Sequence, residues 1–363
     1  MQQYLDLLQT IKEKGTIKEE ARKGMPGTIS LFGYQFRHNL KDGFPLLTTK
    51  KLSWNNIVYE LLWFLKGDTN IKYLVDNGCN IWNEDAYNYY LKKAGQAHTT
   101  ISFDEFIERI KKGGQYVLDT LPYTDSDYVL GDCGVQYGEL MRSLKVVDYD
   151  LNVHTKDQVK ELIKGLKSNP MSRRHIISNW NLGTLDDMAL NACHTLVQFN
   201  CRPIPWEEKL ELAKRNPNVE MENLAITEAA AGNTNCGYVP QYYLDCQLYQ
   251  RSADSFLGVP YNIASYALMT HIFAKITNMV PGEFVHTFGD VHIYDNHKQQ
   301  VDVQLTRAPR DLPTLKIVDE GNDRAAISNL DFDLIEMLGP EDFIIEGYNP
   351  HPSIKGKLST GLK

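Results

Sequence analysis

Gln247-Leu-Tyr-Gln-Arg-Ser-Ala-Asp-Ser-Phe-Leu-Gly-Val-Pro-Tyr-Asn-Ile-Ala-Ser-Tyr-Ala-Leu268 holds the end of a strand pattern and the start of a helix. Tyr242 to Arg251 reads as a strand, and Ile263 to Ile276 as a helix for which Asn262 can serve as N-cap. Outward from this run, His175 to Trp180, Thr195 to Cys201 and Gly289 to Tyr294 are further strand candidates. Residues 1 to 65 read as helix, strand, helix. The second of these helices, Trp54 to Leu65, is apolar at 54, 57, 58, 61, 62 and 65, and Tyr59, Trp63 and Phe64 fill its other side, so it is expected to be buried nearly all round. Strands mixed with long helices, without regular β-α-β alternation, imply an α+β fold with a largely antiparallel or mixed sheet. No Gly-x-Gly-x-x-Gly or Walker-type loop occurs, so neither dinucleotide-binding nor P-loop folds are supported.

Two stretches read as insertions, at about 88–130 and 203–241. The first contains Ser102-x-x-Glu105, a capping box opening a helix over Phe103 to Lys112. The second begins with a helical run, Trp206 to Asn216, and ends in the loop-like Ala225 to Asn235. The 363 residues are 42% hydrophobic, enough for a large core, and carry a net charge of -8. An anionic ligand must therefore be met by a local arginine cluster, and general nucleic-acid binding is not expected. No segment reaches the roughly twenty apolar residues of a membrane span. Six cysteines form no metal-spaced array and no Cys-x-x-Cys pair, so neither a structural metal nor a disulfide framework is expected, and the expected compartment is the reducing cytoplasm.

Asn191-Ala192-Cys193-His194 enters a strand, and a thiol there needs a neighbouring cation to act as a thiolate. For an isolated Cys-His pair, a buried structural cysteine is the commoner reading. Two arginine groups alter that balance: Ser172-Arg173-Arg174-His175 before one strand, and Arg251-Ser252 near the end of another. Arginine with a neighbouring hydroxyl is suited to phosphate. Glu60, the one charged residue of its helix, either pairs with a buried cation or transfers protons. Along Gly289 to Tyr294 the period of two sets His292 and Tyr294 on one face, opposite Val291 and Ile293. That pair suits a sugar hydroxyl or simply an exposed hairpin face.

The run Gln247–Leu268 closely resembles the signature of the thymidylate synthase family. So do Gly43-Phe-Pro-Leu-Leu-Thr-Thr-Lys50, Glu60-Leu-Leu-Trp-Phe-Leu-Lys-Gly-Asp-Thr-Asn70, Gly289-Asp-Val-His-Ile-Tyr294 and Pro350-His-Pro-Ser-Ile-Lys355, in the same order and over nearly the whole chain outside the two insertions. The resemblance implies one domain over 1–363, homodimeric, with twisted mixed sheets stacked across the interface and helices around them. It implies reductive methylation of deoxyuridylate by 5,10-methylenetetrahydrofolate, with no metal. Cys193 would attack C6 of the pyrimidine. Glu60, Tyr137 and His194 would serve the base and its protons, and Asn262 would read the uracil edge. Arg22, Arg251 and Ser252 would hold the phosphate, joined by Arg173 and Arg174 of the partner subunit. His292 and Tyr294 would bind the deoxyribose, and Lys50, Trp82, Asp254 and Gly258 would line the folate side, with Asp254 on the pterin ring.

Some positions depart from the family pattern. Asn191-Ala192 stands where Pro-Pro or Pro-Ala is usual, and Met141-Arg142 closes a motif whose tryptophan is missing. Ser53 replaces a frequent histidine, the loop around Arg22 is one residue longer so that Lys23 rivals it, and the tail Lys357 to Lys363 is polar. A tail that admits water would let water, rather than hydride, complete the reaction, giving a deoxyuridylate hydroxymethyltransferase. Trp82 and Asn262 favour the synthase.

Overall fold

The strands and helices follow from the two periods expected, with the three central strands, His194–Pro203, Tyr242–Asp254 and Val280–Tyr294, longer than the local pattern signals. A computed structural model describes residues 1–19, 25–94, 100–113, 128–214, 239–318 and 334–358. In chain order the strands are β1 (Thr16–Lys18), β2 (Thr28–Asn39), β3 (Leu144–Val147), β4 (Val153–Lys156), β5 (Ile176–Ser178), β6 (His194–Pro203), β7 (Tyr242–Asp254), β8 (Val280–Tyr294), β9 (Thr314–Ile317) and β10 (Phe343–Glu346). One six-stranded sheet runs β1-β2-β8-β7-β6-β5, and β3/β4 and β9/β10 are small separate ribbons. Within the large sheet only β7 and β8 are parallel; every other neighbour is antiparallel. The fold is therefore α+β with a mixed sheet.

The parallel pair is joined by the helix Gly258–Ile276, which packs on β7, β8 and the helix Trp54–Leu65. Asp254 accepts from the N–H groups of Phe256 (2.9 Å) and Leu257 (3.0 Å) just before its first turn, and Pro260 occupies that turn, where a missing N–H costs nothing. The helix thus begins four residues before Asn262, which is a helical residue and not the N-cap. The helices Trp54–Leu65 and Gly258–Ile276 belong to one continuous core with Gln2–Lys14 and the near face of the sheet. On the far face lie Phe32, Gln35, Arg37, Asn200, Gln247 and Tyr249, all exposed, with Gln35 and Gln247 both donating to the Thr287 hydroxyl (2.8 and 3.0 Å). No element of the described chain covers that face, which is the side an antiparallel or mixed sheet leaves open to a partner or to water.

β8 starts at Val280, nine residues before the predicted Gly289, because its first half is paired on both sides by β2 and β7. β5 is shorter than His175 to Trp180, keeping only the three residues that pair with β6. In the first insertion Ser102 accepts from the Glu105 N–H (3.3 Å), but Glu105 turns to Arg109 instead of completing a capping box. The segment Ala225 to Asn235, Arg22, Lys23 and the tail beyond Leu358 lie outside the described residues.

Candidate active site

Cys193 sits one residue before β6, where the ladder to β7 is irregular between His194 and Leu196. Its thiol is partly open, whereas Cys79, Cys133, Cys201 and Cys246 are buried, and burial pushes the thiols of Cys79, Cys201 and Cys246 up to about 12. Cys193 is thus the one described cysteine with an accessible thiol. The approach to it is built by Tyr137, whose hydroxyl accepts from the N–H groups of both Cys193 (2.7 Å) and His194 (3.2 Å). Arg251 braces the other side: its backbone N–H donates to the Cys193 carbonyl (2.9 Å), and its guanidinium donates to the carbonyls of Ala192 (2.8 Å) and Asn191 (2.7 Å). The sequence pairs Arg251 with phosphate; in the fold it also ties down the loop that carries the thiol.

Burial holds Tyr137 well above the ordinary phenol range, so it remains a phenol at neutral pH. Its ring lies 4.7 Å from Phe64 and 6.2 Å from Trp82. Trp82 Nε1 donates to Glu60 (2.8 Å), and no cation pairs with Glu60 among the described residues. Burial raises the Glu60 carboxyl to about 7, the Trp82 bond opposing it only in part. A buried carboxyl whose ionisation falls near neutrality is compatible with the proton-transfer reading of Glu60. Thiol, phenol, indole and carboxyl form one continuous cluster. A thiol linked through Tyr137 and Trp82 to a protonatable carboxyl suits addition to, and elimination from, an electrophilic double bond.

On the opposite wall, Asn262 Oδ1 accepts from Gln250 Nε2 (3.1 Å), and Gln250 Oε1 accepts from His286 Nε2 (2.9 Å). His194 is buried against Tyr137 and Tyr266; burial lowers it to about 4, the Asn262 amide opposing, so it is neutral at pH 7. His292 lies on the strand beside Asp254, its Nδ1 2.9 Å from Asp290, and its ring meets Tyr294 edge-on at 4.8 Å. Burial opposes the ionisation of Asp290, but bonds from His292, Lys18 and Ser30 hold its carboxyl well below the usual carboxylate range.

Of the residues expected on the folate side, Lys50 and Gly258 lie near Asp254, whereas Trp82 stands with Glu60 and Tyr137. One Asp254 oxygen is committed to the helix start described above. Lys50 is buried, its ammonium donating to the Phe256 carbonyl and standing 3.7 Å over the Phe256 ring. Burial lowers it to about 7, with Asp254 opposing. A Cβ on Gly258 would meet only Asn262 Oδ1 at 3.5 Å and Asp254 Cβ at 3.8 Å, so no protein atom forbids a side chain there. Gly134 is different: at φ +71° its Cβ would fall 2.0 Å from the Asp187 carbonyl, so only glycine fits that turn beneath Cys133 and Tyr137.

Arg173 and Arg174 are exposed ahead of β5, and no described contact joins either to Cys193 or Arg251. Ser53 caps the helix Trp54–Leu65, accepting from the Asn56 N–H (3.4 Å). Arg142 is spent on structure, bonding Asp157 (3.0 Å), Glu336 (2.8 Å) and the Leu65 carbonyl. No local pattern assigns a role to Gln250, His286 or Asn179, whose Nδ2 donates to the His194 carbonyl (3.0 Å). Gln250 lies inside the quoted run, but its role depends on which strand and helix face it.

A thiol at a strand start of the mixed sheet and a protonatable carboxyl on the helix Trp54–Leu65 define an enzyme site for covalent chemistry. The sequence profile of the thymidylate synthase family matches residues 2–360. The thymidylate synthase of Mycoplasma pneumoniae is 40% identical over 359 residues, 99% of this chain and 100% of that protein. That of Mycoplasma genitalium is 39% identical over 361 residues, again 99% of this chain and 100% of its own length. The chain belongs to the thymidylate synthase family, and its activity is thymidylate synthesis, a methyl transfer.

Proposed function

We propose that the chain converts deoxyuridylate to thymidylate with 5,10-methylenetetrahydrofolate, leaving dihydrofolate. The continuity from Cys193 through Tyr137 and Trp82 to Glu60 carries this reading. The Cys193 thiolate adds to C6 of the pyrimidine, so that C5 becomes the nucleophile. The folate supplies the one-carbon unit and the hydride. Glu60, charged or neutral near pH 7, exchanges protons with the base through water, and elimination of Cys193 restores the ring double bond. Tyr137 stays a phenol: with both backbone donors on its oxygen, its own proton points onward to a water or to the base. It positions the nucleophile and assists loss of the C5 proton without becoming a phenolate.

Asn262 accepts from N3–H with its second lone pair and donates from Nδ2 to O4, a pattern that fits uracil. His194 lies beside the base as a neutral ring. Arg22, Arg251 and Ser252 hold the phosphate; His292 and Tyr294 hold the deoxyribose hydroxyl. Lys50, Trp82, Asp254 and Gly258 form the folate side, the second Asp254 oxygen facing the pterin. A Cβ on Gly258 would make only ordinary contacts with Asn262 and Asp254, so the protein's own packing does not require glycine there, which fits a ligand lying close to that backbone.

The chain is read as one folding unit acting as a homodimer, in which the bare sheet faces stack and Arg173 and Arg174 of the partner subunit complete the phosphate site. Incubation with deoxyuridylate and methylenetetrahydrofolate is expected to yield thymidylate and dihydrofolate together; a hydroxymethyl product without folate oxidation would replace hydride by water as the last step. Cys193→Ser and the double variant Arg173→Ala/Arg174→Ala, each inactive alone, should regain activity when mixed and refolded together. No regain would sink the shared site.

A further inference from the structure

His286 occupies a slot made for a hydrocarbon ring. It has no solvent exposure, stacks on Phe288 at 3.9 Å and 29°, and meets Phe36 and Phe284 at 5.6 and 5.4 Å. Burial drives its pKa far down, so the ring is neutral, and its Nδ1 has no hydrogen-bond partner. An imidazole in such a place loses hydration that a phenyl ring would not need to lose. What the imidazole has and phenyl lacks is one N–H. Gln250 Oε1 cannot donate, so the 2.9 Å contact fixes the proton on His286 Nε2.

We propose that His286 is a specificity-setting positioning residue, acting through Gln250 on Asn262. With Oε1 held by His286, the Gln250 amide must turn its two N–H groups the other way, one to the Ser252 carbonyl (3.1 Å) and one to Asn262 Oδ1 (3.1 Å). The carbonyl of Ser252 can only accept, so both ends of Gln250 agree on one orientation. Gln250 in turn forces Asn262 to show it an oxygen, which leaves the Asn262 N–H groups free of Gln250 and able to meet an acceptor on the ligand. A carbonyl at the pyrimidine 4-position matches that arrangement; an amino group there opposes it. Without the His286 proton, Oε1 is a buried acceptor with no donor, and the chain of amides loses its anchor.

This inference rests on Asn262 reading the base, so Asn262→Asp is measured in parallel. In His286→Phe, kcat/KM for deoxyuridylate should fall about tenfold, and its ratio to kcat/KM for deoxycytidylate should fall by a similar factor, as expected for about 1.4 kcal/mol of lost orientation. His286→Gln, whose side-chain N–H reaches the same acceptor, should retain the ratio. A purely structural histidine would lower stability in both variants and leave the ratio where it was, and that result overturns the proposal. If Asn262→Asp shifts the preference and His286→Phe does not, the relay is wrong and the base reading stands; if neither shifts it, both fall. Nitrogen-15 shifts of histidine-labelled wild-type protein provide a measurement that needs no variant. They should show the Nε2–H tautomer for His286, and an Nδ1–H tautomer excludes the relay.

Discussion

The two walls of the site solve different problems. On the wall of β7, β8 and the helix Gly258–Ile276, polar groups are tied to each other: His286 to Gln250, Gln250 to Asn262, Arg251 to the loop of Cys193. Beside Trp82, and at Lys50 against Phe256, two ionisable groups sit where burial opposes their charge. Glu60 is raised to about 7 with one indole N–H for company, and Lys50 is lowered to about 7 against a carbonyl and a ring. A wall of polar groups bonded to one another gives geometry, and therefore recognition. A wall of groups poised between charge states gives proton transfer and binds a charged ligand without large rearrangement. The same low dielectric strengthens the first and strains the second.

The largest expected effect tests the point where the walls meet. Cys193→Ser should lower turnover by at least about a thousandfold while deoxyuridylate binding by calorimetry stays within a few fold, because a hydroxyl is a much weaker nucleophile than a thiolate. Turnover within tenfold of wild type would mean that the thiol is not the nucleophile and that the comparison has been drawn around the wrong centre.

Glu60→Gln comes next, at about a hundredfold in kcat, a typical contribution of general acid–base catalysis. In the wild type the pH profile of kcat/KM should have an inflection near 7 that the variant lacks. The stability signature has a definite sign. A carboxyl raised from 4.5 to about 7 binds a proton in the folded state that the unfolded state has released, so it lowers stability increasingly as pH rises from 4.5 to 7 and by a constant amount above. Glu60→Gln should therefore be more stable than wild type at pH 8 and lose that advantage at pH 4. A variant whose melting temperature tracks wild type at both values would show that the carboxyl is not strained.

Tyr137→Phe should reduce kcat about tenfold and cost about 1–3 kcal/mol, since two backbone N–H groups, those of Cys193 and His194, lose a shared acceptor. A loss of turnover with unchanged stability would separate the hydroxyl's chemistry from its bracing role.

Much of both walls could be read along the chain, for definite reasons. Cys193, Arg251, Asn262 and Asp254 lie in contiguous runs, and Glu60 stood out as one carboxyl in an apolar helix; such signals are local. The missing parts are those that only pairing creates. Gln250 reaches Asn262 because a strand ends where a helix begins, and His286 reaches Gln250 because β7 and β8 are parallel, a relation no local period reveals. The length of β8 was hidden for the same reason, its first half being specified by partners on both sides. Asn262 was read as a possible helix cap because the helix start depends on Asp254 accepting two N–H groups, which requires the turn geometry.

Lys50 should give the smallest effect and a mirror image of Glu60. Its folded-state pKa of about 7 lies below the ordinary lysine value of 10.5, so between pH 7 and 10.5 the unfolded chain holds a proton that the folded chain lacks. Stability then rises with pH across that window and is penalised in full below it, the reverse of the Glu60 dependence. Lys50→Met keeps the apolar stem over Phe256 and deletes the charge. It should be more stable than wild type at pH 6, converge on it toward pH 10, and raise KM for the folate several fold with kcat little changed, because the amine beside Asp254 is placed for a ligand and not for the thiol. Melting curves at pH 6 and pH 9.5 decide the first part. If the variant is less stable at pH 6, the Phe256 carbonyl and ring compensate the buried ammonium fully, and of the two buried groups only Glu60 would remain strained.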